Sequence, residues 1–251
     1  MRASVEERRD KILHEVMTNG EATVSELADL LGVTTETIRK DLATLEEKNV
    51  ISKGHGFVTL STALPETDFS QKETMHLAEK TLVAERAAAL VPEGASVFLD
   101  TSTTVLRLAS LLVMRDDLTV ITNSVDACQA LARSGNQVLM TGGLYRTKSN
   151  SCVGAWALRA MESVNVDVSF LGCDGFSAEG PTIRSYQEVE FKRAAAQQSR
   201  TTVVLADTSK LSNVGLHTFA GYDDFDGVIF ERALTAAERE RFPQLITLGS
   251  L

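Results

Sequence analysis

Residues 23–41 read TVSELADLLGVTTETIRKD, two short amphipathic segments meeting at a glycine, and that junction restricts the front of the chain to a small helical module. Thr23 and Glu26 have the spacing of a capping box, in which the threonine hydroxyl accepts from an early backbone N–H and the glutamate reaches back to the cap. Leu27, Leu30 and Leu31 recur at three and four residues, and Gly32 supplies the left-handed turn that a helix end favours. Thr34 can cap a second helix whose Ile38, Leu42 and Leu45 share one side. Thr35, Glu36, Thr37, Arg39 and Lys40 are left on its flanks and outer face. Two helices joined by so short a turn make a helix-turn-helix, whose second helix can lie in the DNA major groove. A helical hairpin that only packs against a neighbour shows the same pattern, so the flanking sequence decides between them.

Residues 50–60 read as two short strands around a glycine-flanked turn, a wing with Lys53 and His55 at its tip. Upstream, residues 6–18 form a first helix with Ile12, Leu13 and Val16 inward, completing a three-helix core. With the segment from Glu36 to Leu42, then Leu45 and the His55-Gly56 wing, the N-terminus closely resembles that of the DeoR family of bacterial transcriptional regulators. The resemblance implies duplex operator DNA as a partner, read by Thr35, Glu36, Thr37, Arg39, Lys40, Lys53 and His55. Lys40 stands where arginine is commoner, and it offers charge without a two-pronged contact.

Charge runs against a broad electrostatic grip on DNA. The formal net charge is −9, and residues 1–60 hold eight Lys and Arg against eleven Asp and Glu. Affinity must then rest on a few placed cations, Arg39, Lys40 and Lys53, with Arg8 and Arg9 as further candidates. One copy binds weakly on this reading, so a homo-oligomer, dimer or tetramer, is expected on one operator. The charged start and the lack of a long apolar run point away from secretion and membrane insertion, to a cytoplasmic protein. Cys128, Cys152 and Cys173, with four scattered histidines, match neither a disulfide framework nor a metal site, and no cofactor is expected.

Residues 61–70 are polar, contain Pro65 and show no periodicity. The expected organisation is a DNA-binding domain over 1–60, a linker over 61–74 and a second domain over 75–251. That domain begins with a long alanine-rich helix over 75–91. From residue 96 the chain repeats one theme, a short apolar strand followed by small and polar residues: strands at 96–99, 118–121, 137–140, 168–171 and 202–206, and a last one at 244–248. The alternation with helices implies an α/β fold with a mainly parallel sheet, whose ligands gather outside the carboxyl ends of the strands. Threonines at a helix start, close-approach glycines and the lysines at 192 and 210 suit a phosphate carrying hydroxyls, while Asp100, Asn123 and Asp174 suit the hydroxyls themselves. The chain has neither a Walker lysine loop nor a G-x-G-x-x-G fingerprint.

The run from Glu79-Lys80 to Leu90, then Leu99-Asp100-Thr101-Ser102-Thr103-Thr104, Phe170-Leu171-Gly172-Cys173-Asp174-Gly175 and Asp207-Thr208-Ser209-Lys210, resembles the DeoR-type sensor domain. This resemblance implies a Rossmann-like, ribose-5-phosphate-isomerase-like fold behind the winged helix-turn-helix. It also implies binding of a small phosphorylated sugar or related effector that lowers affinity for the operator. The effector residues it implies are Asp100, Thr103, Thr104, Thr122, Asn123, Gly142, Gly143, Asp174, Gly175, Glu188, Lys192 and Lys210. Ser102 departs from the family's usual glycine, which bears on how the backbone approaches the phosphate. The rival reading is a sugar-phosphate isomerase with Glu188 as base. The isomerases' paired aspartates, three residues apart, are not reproduced, since Leu171 and Ser177 flank Asp174 at that spacing. No catalytic residue is therefore expected.

Overall fold

The structure is a computed structural model that describes residues 5, 8–9, 11–12, 15–16, 21–47, 51–54, 56–60 and 69–249. The chain divides into two compact units, Met1–Glu66 and Thr67–Leu251.

In the first unit, β1 (Glu21–Thr23) leads directly into α1 (Val24–Leu31). The Thr23 hydroxyl accepts from the Glu26 N–H at 3.2 Å and the Glu26 carboxylate accepts from the Thr23 N–H at 2.7 Å, the expected capping box. Gly32 closes α1 at φ 63°, a conformation that a residue with a Cβ adopts only at a cost. Thr34 caps α2 (Thr35–Glu47), its hydroxyl accepting from the Thr37 N–H at 3.2 Å. Ile38, Leu42 and Leu45 are buried with Leu27 and Ile51. Of the expected first helix, Ile12 and Val16 join that core, while Leu13 lies outside the described residues.

The wing consists of β2 (Ile51–Lys53) and β3 (Phe57–Leu60), and β1 adds a third strand on the far side of β3. Sequence reasoning missed β1 because three residues leading straight into a helix cap show no alternation of their own.

The second unit is built on six parallel strands in the order β14-β12-β9-β4-β5-β6. In chain order it runs α3 (Phe69–Thr74), α4 (Leu77–Ala88), β4 (Ser96–Leu99), α5 (Thr103–Leu112), β5 (Thr119–Thr122), α6 (Val125–Leu131) and β6 (Gln137–Met140). An antiparallel pair, β7 (Leu144–Arg146) and β8 (Ser151–Val153), precedes α7 (Ala155–Glu162) and β9 (Val166–Gly172). Then come β10 (Gly175–Phe176), β11 (Pro181–Ile183), α8 (Tyr186–Gln197), β12 (Ser199–Leu205), a 3-10 turn (Thr208–Ser212), β13 (His217–Thr218), β14 (Gly227–Ile229) and α9 (Ala236–Arg241). One apolar cluster gathers Val83, Ala87, Val105 and Leu108 from α4 and α5 with Val97, Leu99 and Phe170 of the sheet. A second gathers Met161, Phe191 and Ala195 from α7 and α8 with Phe98 and Leu171, so the sheet is covered on both faces.

Three expectations need correction. Residues 69–74, assigned to the linker, are helical, and the Phe69 N–H donates to the Lys148 carbonyl at 3.3 Å within the second unit. The helix expected over 75–91 is the single helix α4, Leu77–Ala88, shorter at both ends and set off from α3 at His76, which takes a left-handed φ of 52°. No glycine or proline marks that break, so nothing in the local sequence interrupts the helical pattern. Residues 244–248 make only an isolated parallel bridge, Thr247 beside Val228 on the outer edge of β14.

Candidate functional site

Counting outward from β4, the chain builds β5 and β6 on one side and β9, β12 and β14 on the other. The strand order therefore reverses between β4 and β9, and such a switch point opens a crevice at the carboxyl ends of the strands. Asp100 follows β4 there, with its Oδ2 accepting from the Gly172 N–H at 2.9 Å at the end of β9. Lys192, on α8, donates to the same Oδ2 and to the Gly172 carbonyl at 3.0 Å. Both side chains are almost wholly enclosed, at 1% and 2% exposure. Burial alone would lower the Lys192 ammonium, but the Asp100 carboxylate, with Glu188 and Asp174 nearby, outweighs it and holds the group above its ordinary value.

Asp174 follows β9 and is bound from two sides: Lys72 on α3 donates at 2.7 Å and the Arg184 N–H at 2.9 Å. Burial would raise its carboxyl, yet the Lys72 charge and these bonds leave it below the ordinary carboxylate value. Behind Lys72 stands Lys80 on α4, 2% exposed, whose ammonium donates to the Lys72 carbonyl. Burial and then the charge of Lys210 push Lys80 down to about 8, with Asp207 acting in the opposite direction and Lys72 and Arg107 adding to the depression. Glu188 bonds Arg146 at 3.3 Å. The Cys173 thiol, pushed up to about 12 by burial, is no nucleophile at neutral pH.

Near the carboxyl ends of β4 and β9, Asp100, Glu188 and Asp174 thus act on Lys192, and Lys210 acts on Asp174. Thr103 and Thr104 form the buried first turn of α5, behind Ser102, whose hydroxyl accepts from the Val105 N–H at 3.1 Å. At φ −148° Ser102 is extended backbone, so the position has no need of glycine. Thr122 spends its hydroxyl on the Leu99 carbonyl at 2.6 Å, and Asn123 donates to the Cys152 carbonyl at 3.3 Å. Gly175 is packed against the Asn213 backbone, where a Cβ would come within 2.1 Å of the carbonyl oxygen. Gly142 and Gly143 follow the edge strand β6, separated from β4 by β5. Among the described residues, four buried side-chain acceptors have no hydrogen-bond partner: Asp100 Oδ1, Asn123 Oδ1, Asp126 Oδ2 and Asp207 Oδ2. A cleft of about 510 Å³ opens beside α3, lined by Phe69, Ser70, Glu73, Asp126, Thr147, Lys148 and Asn150.

Lys72, Lys80 and Arg146 were missed as site residues. Lys80 fell within the sensor-like stretch, and its position after Glu79 in an apolar helix was the one available signal. Lys72 lay in the supposed linker.

On α2, Arg39 and Lys40 are exposed, as are Thr35 and Glu36, while Thr37 is half-buried and bonded to Thr34 at 2.9 Å. Glu36 approaches Arg39 at 3.6 Å, both well solvated. Lys53 is drawn to Glu46 at 2.6 Å, and His55 lies outside the described residues. Arg8 and Arg9 are not spare cations. They bond the buried Asp41 at 2.6 and 3.1 Å, and Arg9 also reaches the Thr44 hydroxyl at 3.1 Å.

A winged helix-turn-helix and a separate α/β sensor unit in one chain define a DNA-binding transcriptional regulator. The DeoR-like helix-turn-helix domain matches residues 8–63 and the DeoR C terminal sensor domain matches residues 75–232. The chain belongs to the DeoR family. It is 36% identical over 236 residues to the HTH-type transcriptional regulator YulB of Bacillus subtilis, covering 93% of this chain and 91% of that one. It is 30% identical over 207 residues to the glycerol-3-phosphate regulon repressor of Haemophilus influenzae, covering 82% and 81%. A ribose 5-phosphate isomerase A structure from Methanocaldococcus jannaschii aligns over 53% of each chain at 19% identity, with a TM-score of 0.39.

Proposed function

We propose that this regulator represses a carbohydrate-utilisation operon and leaves its operator when a phosphorylated sugar or related metabolite occupies the crevice between β4 and β9. The observation that carries the reading is the clustering of charged side chains at the carboxyl ends of β4 and β9. Opposed charges, buried acceptors lacking partners and a lysine-rich margin converge at the one place where the sheet order reverses. Asp100, Asn123 and Asp174 receive hydroxyls, Thr103 and Thr104 sit at the first turn of α5, and Lys210 faces the anion. On α2, Arg39 and Lys40 contact the operator, with Lys53 at the wing. Catalysis is disfavoured by the same geometry: Glu188, the base that the isomerase reading would use, is tied to Arg146. The few available cations favour action as a homo-oligomer, and the exposure of Leu144, Trp156 and Tyr186 supports such an association.

The test is selection of duplex sequences from a random pool by the purified chain, followed by titration of the selected duplex with sugar phosphates. A bound duplex released by one sugar phosphate, but not by the matching free sugar, supports the reading. Failure to enrich any sequence would remove it.

A further inference from the structure

We infer that Lys80, Lys210 and Lys72 form the subsite for the effector's phosphoryl group, with Lys72 exchanging its bond to Asp174 for one to the ligand. The inference deepens the proposed function and rests on it for the word effector.

Counter-ions around the crevice lead to it. Lys192 is matched by Asp100, Lys72 by Asp174 and Arg107 by Glu73. Among the described residues, neither Lys80 nor Lys210 forms a salt bridge, and Lys80 is 2% exposed. A buried ammonium beside two other lysines costs desolvation and repulsion together, and its bond to a carbonyl returns only part of that. A group carrying two negative charges and several acceptor oxygens answers the arrangement. The convergence is one of tertiary structure, because Lys72 comes from α3, Lys80 from α4 and Lys210 from the turn after β12.

The second observation is independent of charge counting. Asp207 Oδ2 and Asp100 Oδ1 are buried acceptors with no donor, and Asp207 also acts on Lys80. Acceptors of this kind beside a cationic margin fit a ligand that presents hydroxyls near its phosphate. A phosphate monoester of a polyol meets both demands. A phosphoryl oxygen on Lys72 would compete with Asp174 and leave that carboxylate for a ligand hydroxyl.

The experiment uses the full chain and inorganic phosphate as probe, with sulfate and sodium chloride at matched ionic strength, reading the melting temperature against concentration. Wild type should show a saturable rise in phosphate and none in chloride. Lys80→Met and Lys210→Met should each weaken phosphate at least tenfold, whereas Arg133→Ala, an exposed cation on the same unit, should leave it unchanged. Circular dichroism checks folding, and the half-buried Lys210 provides a variant whose fold does not depend on a buried side chain. Phosphate midpoints in both lysine variants equal to wild type would overturn the subsite, as would equal stabilisation by phosphate and chloride. Duplex selection with the same preparations separates the two proposals. DNA enrichment without phosphate dependence removes the subsite alone, while phosphate dependence without enrichment removes the regulator reading alone.

Discussion

Lys192 and Asp100 form an enclosed ion pair, and both hold the backbone of Gly172, Lys192 through its carbonyl and Asp100 through its N–H. Two strands and a helix are thereby joined at the point where the sheet changes direction. Lys192→Met leaves a buried carboxylate without its cation and should cost about 3–5 kcal/mol in urea unfolding. Adding Asp100→Asn should recover part of that loss. Lys192 is held above its ordinary 10.5, so the pair contributes fully below that pH and fades only as pH rises through the higher folded value. The penalty should be level between about pH 6 and 9.

Lys80 has the opposite sign. Its folded value of about 8 lies below the ordinary 10.5, so the unfolded chain binds the extra proton between them and stability rises with pH across that window. Lys80→Met should stabilise the protein at pH 7 by about 1–2 kcal/mol after allowance for solvent screening, with the gain shrinking toward pH 10.5. Thermal unfolding of both proteins at pH 7, 8, 9 and 10 checks the sign. A variant less stable than wild type at pH 7 would show that the buried ammonium is compensated after all.

Arg39 and Arg8 should separate DNA contact from fold. Arg39→Ala should weaken binding and reduce the slope of log K against log salt by about 1, with unfolding unchanged. Arg8→Ala with Arg9→Ala leaves Asp41 buried and unpaired, and should cost about 3–5 kcal/mol in the unfolding of the first unit. Fluorescence anisotropy at several salt concentrations, read beside denaturation curves, distinguishes the two.

Gly175→Ala tests the packing of the turn after β12. A Cβ there would meet the Asn213 carbonyl oxygen at 2.1 Å, and backbone cannot swing aside as a side chain can. A loss of about 1–3 kcal/mol is expected from overpacking. Differential scanning calorimetry measures it, and an unchanged melting temperature would mean that the turn yields.

Local chemistry made the first unit legible. A threonine and a glutamate three apart, then a glycine, carry the start and stop of α1 in their own side chains and backbone freedom, and the structure contains both. Five strands of the second unit were legible because each apolar run ends in small polar residues. β14 was not, since Gly227–Ile229 is three residues long and belongs to the sheet only through β12. The candidate site was legible where it follows strand ends, at Asp100, Asp174 and Lys210. It was not where a partner comes from afar: Lys72 and Asp174 are 102 positions apart, and no local pattern records such a pair. Gly175 drew notice as a ligand contact, whereas its lack of a side chain serves a neighbouring backbone.

Six residues are too few for a helix to persist in water without outside support. α3 is held by the Phe69 N–H on the Lys148 carbonyl, by the Lys72 ammonium on Asp174, by Glu73 on Arg107, and by the Lys80 ammonium on the Lys72 carbonyl. Its amide protons should therefore trade with deuterium at a rate governed by these tethers and not by helix propensity. Any solute that captures the Lys72 ammonium removes one of these tethers, which makes this short segment a gauge that mass spectrometry can read without DNA present.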